Sequence, residues 1–129
     1  LKGIDVDMIM MPDAAMTLAV TALFASGKTS IRNIFNWRVK ETERIKAVSN
    51  ELRKLGAKVE EGEDYIVINP PKKIQNAEIN TYEDHRMAMS FAPLALKTPL
   101  YIEEASVVSK SYPDFWRDLT ELNFKIEER

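Results

Sequence analysis

Four short stretches of this 129-residue chain concentrate side chains that bind anions or move protons. They are MPDAAM (11–16), NWRVKETERIK (36–46), YEDHRMAM (82–89) and VSKSYPDF (108–115). The first carries Asp13, the second Asn36, Lys40, Glu41 and Arg44, the third Asp84, His85 and Arg86, and the fourth Lys110. Guanidinium and ammonium groups clustered at element ends suit the binding of an anion. Three of the stretches open helices, where free N–H groups and the macrodipole favour a bound anion. Each residue also has an ordinary explanation. Asp13 could be a plain N-terminal helix charge, worth about 0.3–1 kcal/mol. Lys40, Glu41 and Arg44 fall on one face of a helix expected to begin at Lys40, and a solvated first turn would account for them. His85 and Arg86 could pair locally with Asp84, and Lys110 could be a surface lysine.

The elements that must position these residues follow from pattern. Pro12 and Asp13 start a helix that AAMTLAVTALFAS continues and Gly27 ends. KTSIRNI (28–34) alternates and is β-branched, which predicts a strand. From Lys40 to Leu55, residues Ile45, Val48, Leu52 and Leu55 keep helical spacing, and Gly56 closes the helix. AKVEE (57–61) and DYIVIN (64–69) predict a hairpin around Gly62. After Pro70-Pro71 a strand resumes at AEINTY (77–82).

The second half repeats the first. PDAAM aligns with EDHRM so that Asp13 matches Asp84, and TSIRN aligns with LYIEE so that Ile31 matches Ile102. Lys40 matches Lys110, each ahead of a second helix, and LGAKVEE (55–61) matches LNFKIEE (122–128), which predicts a final strand. Two copies of a helix–strand–helix–strand unit, about 1–70 and 71–129, place all four polar stretches at corresponding element ends. That correspondence favours one shared anion site over four unrelated surface features.

Composition narrows the class. Apolar residues at 45% and charged residues at 29% describe a soluble globular chain, and −2 net charge offers no basic field for a nucleic acid. The absence of cysteine excludes disulfides and thiolate chemistry, and a single histidine argues against a zinc or iron site. No apolar run reaches the roughly 18 residues of a membrane span, so a cytoplasmic protein is expected. The chain begins Leu-Lys-Gly, so it is read as part of something longer.

MPDAAMT, NWRVKETER, YEDHRMAM and SKSYPDFW together resemble the 5-enolpyruvylshikimate-3-phosphate (EPSP) synthase family, in family order and over nearly the whole chain. The resemblance implies an α/β (α+β) fold of repeated βαβαββ units, the enolpyruvyl transferase-like fold. It also implies that residues 1–129 are a partial carboxyl-terminal domain of a larger two-domain enzyme, the active site lying between the domains. That enzyme would transfer the carboxyvinyl group of phosphoenolpyruvate to the 5-hydroxyl of shikimate 3-phosphate, releasing phosphate, with no metal or organic cofactor. On the same resemblance Asp13 would accept the hydroxyl proton and Glu41 would handle the methylene proton. Asp13, Asn36 and Lys40 would contact shikimate 3-phosphate; Arg44, His85, Arg86 and Lys110 would hold phosphoenolpyruvate.

One departure is local: DMIMMPD puts Ile9 where the family usually has asparagine. The other is extent, since the ligands of the amino-terminal domain are absent and the piece alone is expected to be inactive. Rival readings are a UDP-N-acetylglucosamine enolpyruvyl transferase-like domain, an α/β module binding RNA, and a structural interaction domain. The KETER and DHRMAM combination favours the first-named family, and the charge counts against RNA.

Overall fold

Two helices and two hairpin strands build the first half of the chain around one sheet, in a computed structural model that describes residues 1–127. The order is β1 (Asp5–Asp7), α1 (Ala14–Thr21), β2 (Thr29–Arg32), α2 (Arg44–Lys54), β3 (Lys58–Glu61) and β4 (Tyr65–Asn69). In space the strands run β1-β2-β4-β3, with β1 parallel to β2 and the other neighbours antiparallel. Ile31 of β2 faces Ile66 of β4, and both are fully buried beneath the helices. The second half runs β5 (Glu78–Ile79), α3 (His85–Phe91), β6 (Tyr101–Ile102) and α4 (Phe115–Glu121), with β5 parallel to β6 and Ile79 paired to Ile102. Asp13 and Asp84 are the N-cap residues of α1 and α3, and those two helices pack together.

The amphipathic helix starts later than its periodicity predicts. Lys40 is extended, and the α2 N-cap is Glu43, whose carboxylate accepts a hydrogen bond from Lys46 N at 3.1 Å. A side-chain cap satisfies a donor that the free helix end leaves open, which settles the start at Arg44. Lys40 and Glu41 therefore lie in the approach to α2, not on its face. The other end follows the sequence closely. Gly56, at φ 103°, lets Ala57 N reach Leu52 O and Gly56 N reach Arg53 O, the Schellman closure that favours glycine.

The strands are shorter than predicted. KTSIRNI keeps only Thr29–Arg32, because Asn33 turns to φ 60°, and AEINTY keeps only Glu78–Ile79, because Tyr82 and Glu83 turn to φ 52° and 58°. The apolar helix after Asp13 tightens to a 3-10 segment at Ala22–Phe24, and α3 does so at Ala92–Leu96, where Pro93 cannot continue the hydrogen-bond ladder. The strand expected at 122–128 does not form over its described residues, and Glu128 lies outside them. In the first half the matching strand β3 is held by its antiparallel neighbour β4. No described helix is long and apolar enough to cross a membrane.

Candidate active site

Arg44, the first residue of α2, gathers the polar stretches. Its guanidinium is 1% exposed and meets three carboxylates. Nε donates to Asp84 Oδ2 at 2.7 Å, and Nη2 donates to Asp84 Oδ1 at 3.2 Å and to Glu41 Oε2 at 2.7 Å. Nη1 donates to Asp13 Oδ1 at 2.8 Å. The three acids come from the approaches to α1, α2 and α3, so one side chain ties three helix entrances together. Four of the five guanidinium N–H groups are spent, leaving one on Nη1. Burial pulls the Arg44 pKa down, and the bonds and charges of Asp84, Glu41 and Asp13 outweigh it, holding the group above its usual range.

The acids differ in exposure. Asp84 is fully buried, and its Oδ1 also accepts from Arg86 N at 2.9 Å, capping α3. A buried carboxylate requires a partner, and Arg44 supplies one bidentately. Asp13 and Glu41 keep 40% and 47% of their side chains exposed, so each can reach a bound molecule while Arg44 fixes one of its oxygens. Asp13 makes no capping bond of its own; its carboxylate points outward, with Oδ2 3.4 Å from Arg86 Nε. The local Asp84–Arg86 ion pair that sequence alone suggests is thus replaced by a crossed arrangement, Asp84 on Arg44 and Arg86 on Asp13.

The remaining residues surround this cluster less tightly. His85 Nδ1 is 4.0 Å from Asp84 Oδ1. Trp37, fully buried, donates from Nε1 to Pro12 O at 2.6 Å and pins the 3-10 segment Phe35–Val39 to the turn ahead of Asp13. Asn36 lies in that segment with its amide oxygen buried and unpartnered. Lys40 and Lys110 are exposed and, among the described residues, form no ion pair; each sits at the end of a 3-10 segment, Phe35–Val39 and Ala105–Lys110. The second of these segments packs against α3. No described group of three or more His, Cys, Asp and Glu side chains is arranged to hold a metal.

A sequence profile of EPSP synthase (3-phosphoshikimate 1-carboxyvinyltransferase) matches residues 1–119. The chain belongs to the EPSP synthase family. It is 56% identical over 124 residues to the 3-phosphoshikimate 1-carboxyvinyltransferase of Vibrio vulnificus, covering 95% of this chain and 29% of that one. The enzyme of the same name from Photobacterium profundum is 58% identical over the same length and shares. Among solved structures, an EPSP synthase from Acinetobacter baumannii superposes with a TM-score of 0.86 at 30% identity, covering 94% of this chain and 30% of that one. The enolpyruvyl transferase NikO from Streptomyces tendae superposes at 0.76 with 19% identity, over 98% of this chain and 29% of that one, a likeness of fold alone. The fold is therefore the α/β enolpyruvyl transferase type. As a family member, the chain spans about 29% of the length of the curated relatives it matches.

Proposed function

We propose that this chain supplies one wall of a carboxyvinyl-transfer site, as part of the carboxyl-terminal domain of a larger two-domain enzyme. The reaction moves the carboxyvinyl group of phosphoenolpyruvate onto the 5-hydroxyl of shikimate 3-phosphate and releases phosphate. The observation that carries the reading is the Arg44 hub, which holds Asp13 and Glu41 as two separate, half-exposed carboxylates in one cluster.

Addition across the enol phosphate double bond requires a base for the hydroxyl proton and an acid for the methylene carbon. Asp13 takes the first role and Glu41 the second. The hydroxyl oxygen bonds to the phosphate-bearing carbon, giving a tetrahedral intermediate. Its collapse returns the added proton from the methyl group to a base and expels phosphate. Two substrates bearing phosphates and carboxylates need fixed cations. Arg86, Lys110 and the free Nη1 hydrogen of Arg44 face phosphoenolpyruvate, with His85 beside them, and Asn36 and Lys40 face shikimate 3-phosphate.

The test is turnover by the full-length polypeptide that contains this sequence. Phosphate release that requires both phosphoenolpyruvate and shikimate 3-phosphate is the expected result. Release that proceeds with a UDP-sugar acceptor instead would assign the chain to another enolpyruvyl transfer.

A further inference from the structure

Helix α2 bears one acid, Glu51, which the chemistry above leaves unused. Glu51 is fully buried among Val48, Leu52 and Leu55, on the apolar stripe of the helix. A carboxylate there is costly unless every oxygen is engaged. Its Oε1 accepts from Asn80 N at 2.8 Å and from Lys54 Nζ at 2.7 Å, and its Oε2 accepts from the Tyr82 hydroxyl at 2.7 Å. Lys54 Nζ also donates to Glu78 O at 3.1 Å. All the bonds that leave α2 from this pair end on one segment, residues 78–82, the approach to Asp84.

That segment is conformationally demanding. Tyr82 and Glu83 are consecutive non-glycine residues at φ 52° and 58°, in a region that such residues occupy only a few per cent of the time. Strained turns of this kind persist where the surroundings over-determine them, and they gather at functional sites. Here the surroundings are visible. Thr81 Oγ1 donates to Glu103 O beyond β6 at 3.1 Å, Asp84 N donates to Thr81 O at 2.8 Å, and Glu51 holds Asn80 and Tyr82. Arg44 and Glu51 are seven residues apart, two helical turns, so they share a face of α2 about 10.5 Å apart along its axis. One end of that face grips Asp84 and the other grips Asn80 and Tyr82. The helix acts as a ruler laid along the 80–84 turn.

We propose that Glu51 and Tyr82 are positioning residues of the site, holding the left-handed Tyr82-Glu83 turn in the form that delivers Asp84 to Arg44 and aims Arg86 at the bound anion. Neither touches substrate. Because Asp84 reaches substrate only through Arg44, and Arg86 lies two residues further on, slack in the turn acts first on the phosphoenolpyruvate side of the site, while Glu41 sits on a separate approach. The proposal rests on the carboxyvinyl-transfer reading.

The experiment compares Tyr82→Phe, Glu51→Gln and the double variant in the full-length protein, by steady-state kinetics and by amide hydrogen exchange. Tyr82→Phe removes one hydroxyl and keeps the ring, so it remains measurable if Glu51→Gln fails to fold. The expected result is a KM for phosphoenolpyruvate raised about tenfold, short of the ~100-fold that a 1 Å misplacement can cost, with kcat within about twofold. Amides of residues 83–87 should exchange faster, while those of α1 stay unchanged. The double variant should cost less than the sum of the two single ones, because they share the Glu51–Tyr82 contact. An unchanged KM, or exchange at 83–87 identical to the unsubstituted protein, overturns the proposal. If the unsubstituted protein shows no turnover at all, the functional reading fails instead, and the exchange data still decide whether the clamp exists.

Discussion

Asp13, Glu41 and Arg86 can be separated by what each loses on substitution. Asp13→Asn keeps size and the hydrogen bond from Arg44 but removes the basic oxygen, so kcat should fall by about 10²–10⁴-fold with KM little changed. Glu41→Gln should do the same. Arg86→Lys keeps the charge but loses the planar fork, so KM for phosphoenolpyruvate should rise before kcat falls. Near-normal kcat in both carboxylate variants would show that these residues only shape the pocket. Arg44 makes a different kind of demand, because Asp84 is buried against it. Arg44→Met should cost about 3–5 kcal/mol of stability, read from urea unfolding, since it strands that charge. Adding Asp84→Asn to Arg44→Met should recover part of the loss, and a loss unchanged in the double variant would mean that Asp84 was not the stranded partner.

The helices and the hairpin were readable because their signals are local: Val48, Leu52 and Leu55 with Gly56, and the alternation of YIVIN. What escaped depends on partners distant in sequence. Strand β1 reads Asp-Val-Asp, a composition that strands avoid, and it forms by parallel backbone pairing with β2, across which Asp5 also meets Arg32 and Asp7 meets Asn33. The start of α2 depended on which acid turned back to cap it, and Glu43 did so while Glu41 turned to Arg44. The site was legible as a set of motifs, yet its hub was not, because Asp84 looked like a neighbour for Arg86 until the fold put it against α2. Glu51 did leave a trace, a carboxylate three residues after Val48 on an otherwise apolar face. Its contact with Tyr82 has a consequence for pH. Burial, then the bond and charge of Glu51, push the Tyr82 hydroxyl up to about 12 from 10.0, with Asn50 opposing. The fold favours the protonated form, so this contribution is complete below pH 10 and is lost as pH rises through about 12. Between those values the melting temperature of the unsubstituted protein should fall more steeply than that of Tyr82→Phe, and parallel curves would show that Tyr82 does not titrate with unfolding.

At the scale of the whole molecule, the described cluster sets three carboxylates against two guanidiniums and two exposed lysines. The proposed reaction's two substrates, with a phosphate and a carboxylate apiece, need more positive charge than that, and the relatives are more than three times as long as this chain. The loops carrying the site also leave apolar side chains in water: Ile9, Met10 and Met11 just ahead of Asp13, and Phe35 and Val39 on either side of Asn36 and Trp37. On the proposed reading, this polar cluster rimmed by uncovered apolar groups is one face of a cleft, since exposed apolar patches mark surfaces that meet something else. Catalysis through a charged intermediate depends on excluding water, and one wall cannot do that. The 129-residue chain by itself should therefore release no phosphate from phosphoenolpyruvate and shikimate 3-phosphate, although Arg86 and the lysines should still bind phosphoenolpyruvate with a dissociation constant of about 1 mM. Phosphate assays and calorimetry on the chain, run beside the full-length protein, decide the point. Turnover by the chain at a rate near that of the full-length protein would mean that the second wall adds nothing, and that the cations already described suffice.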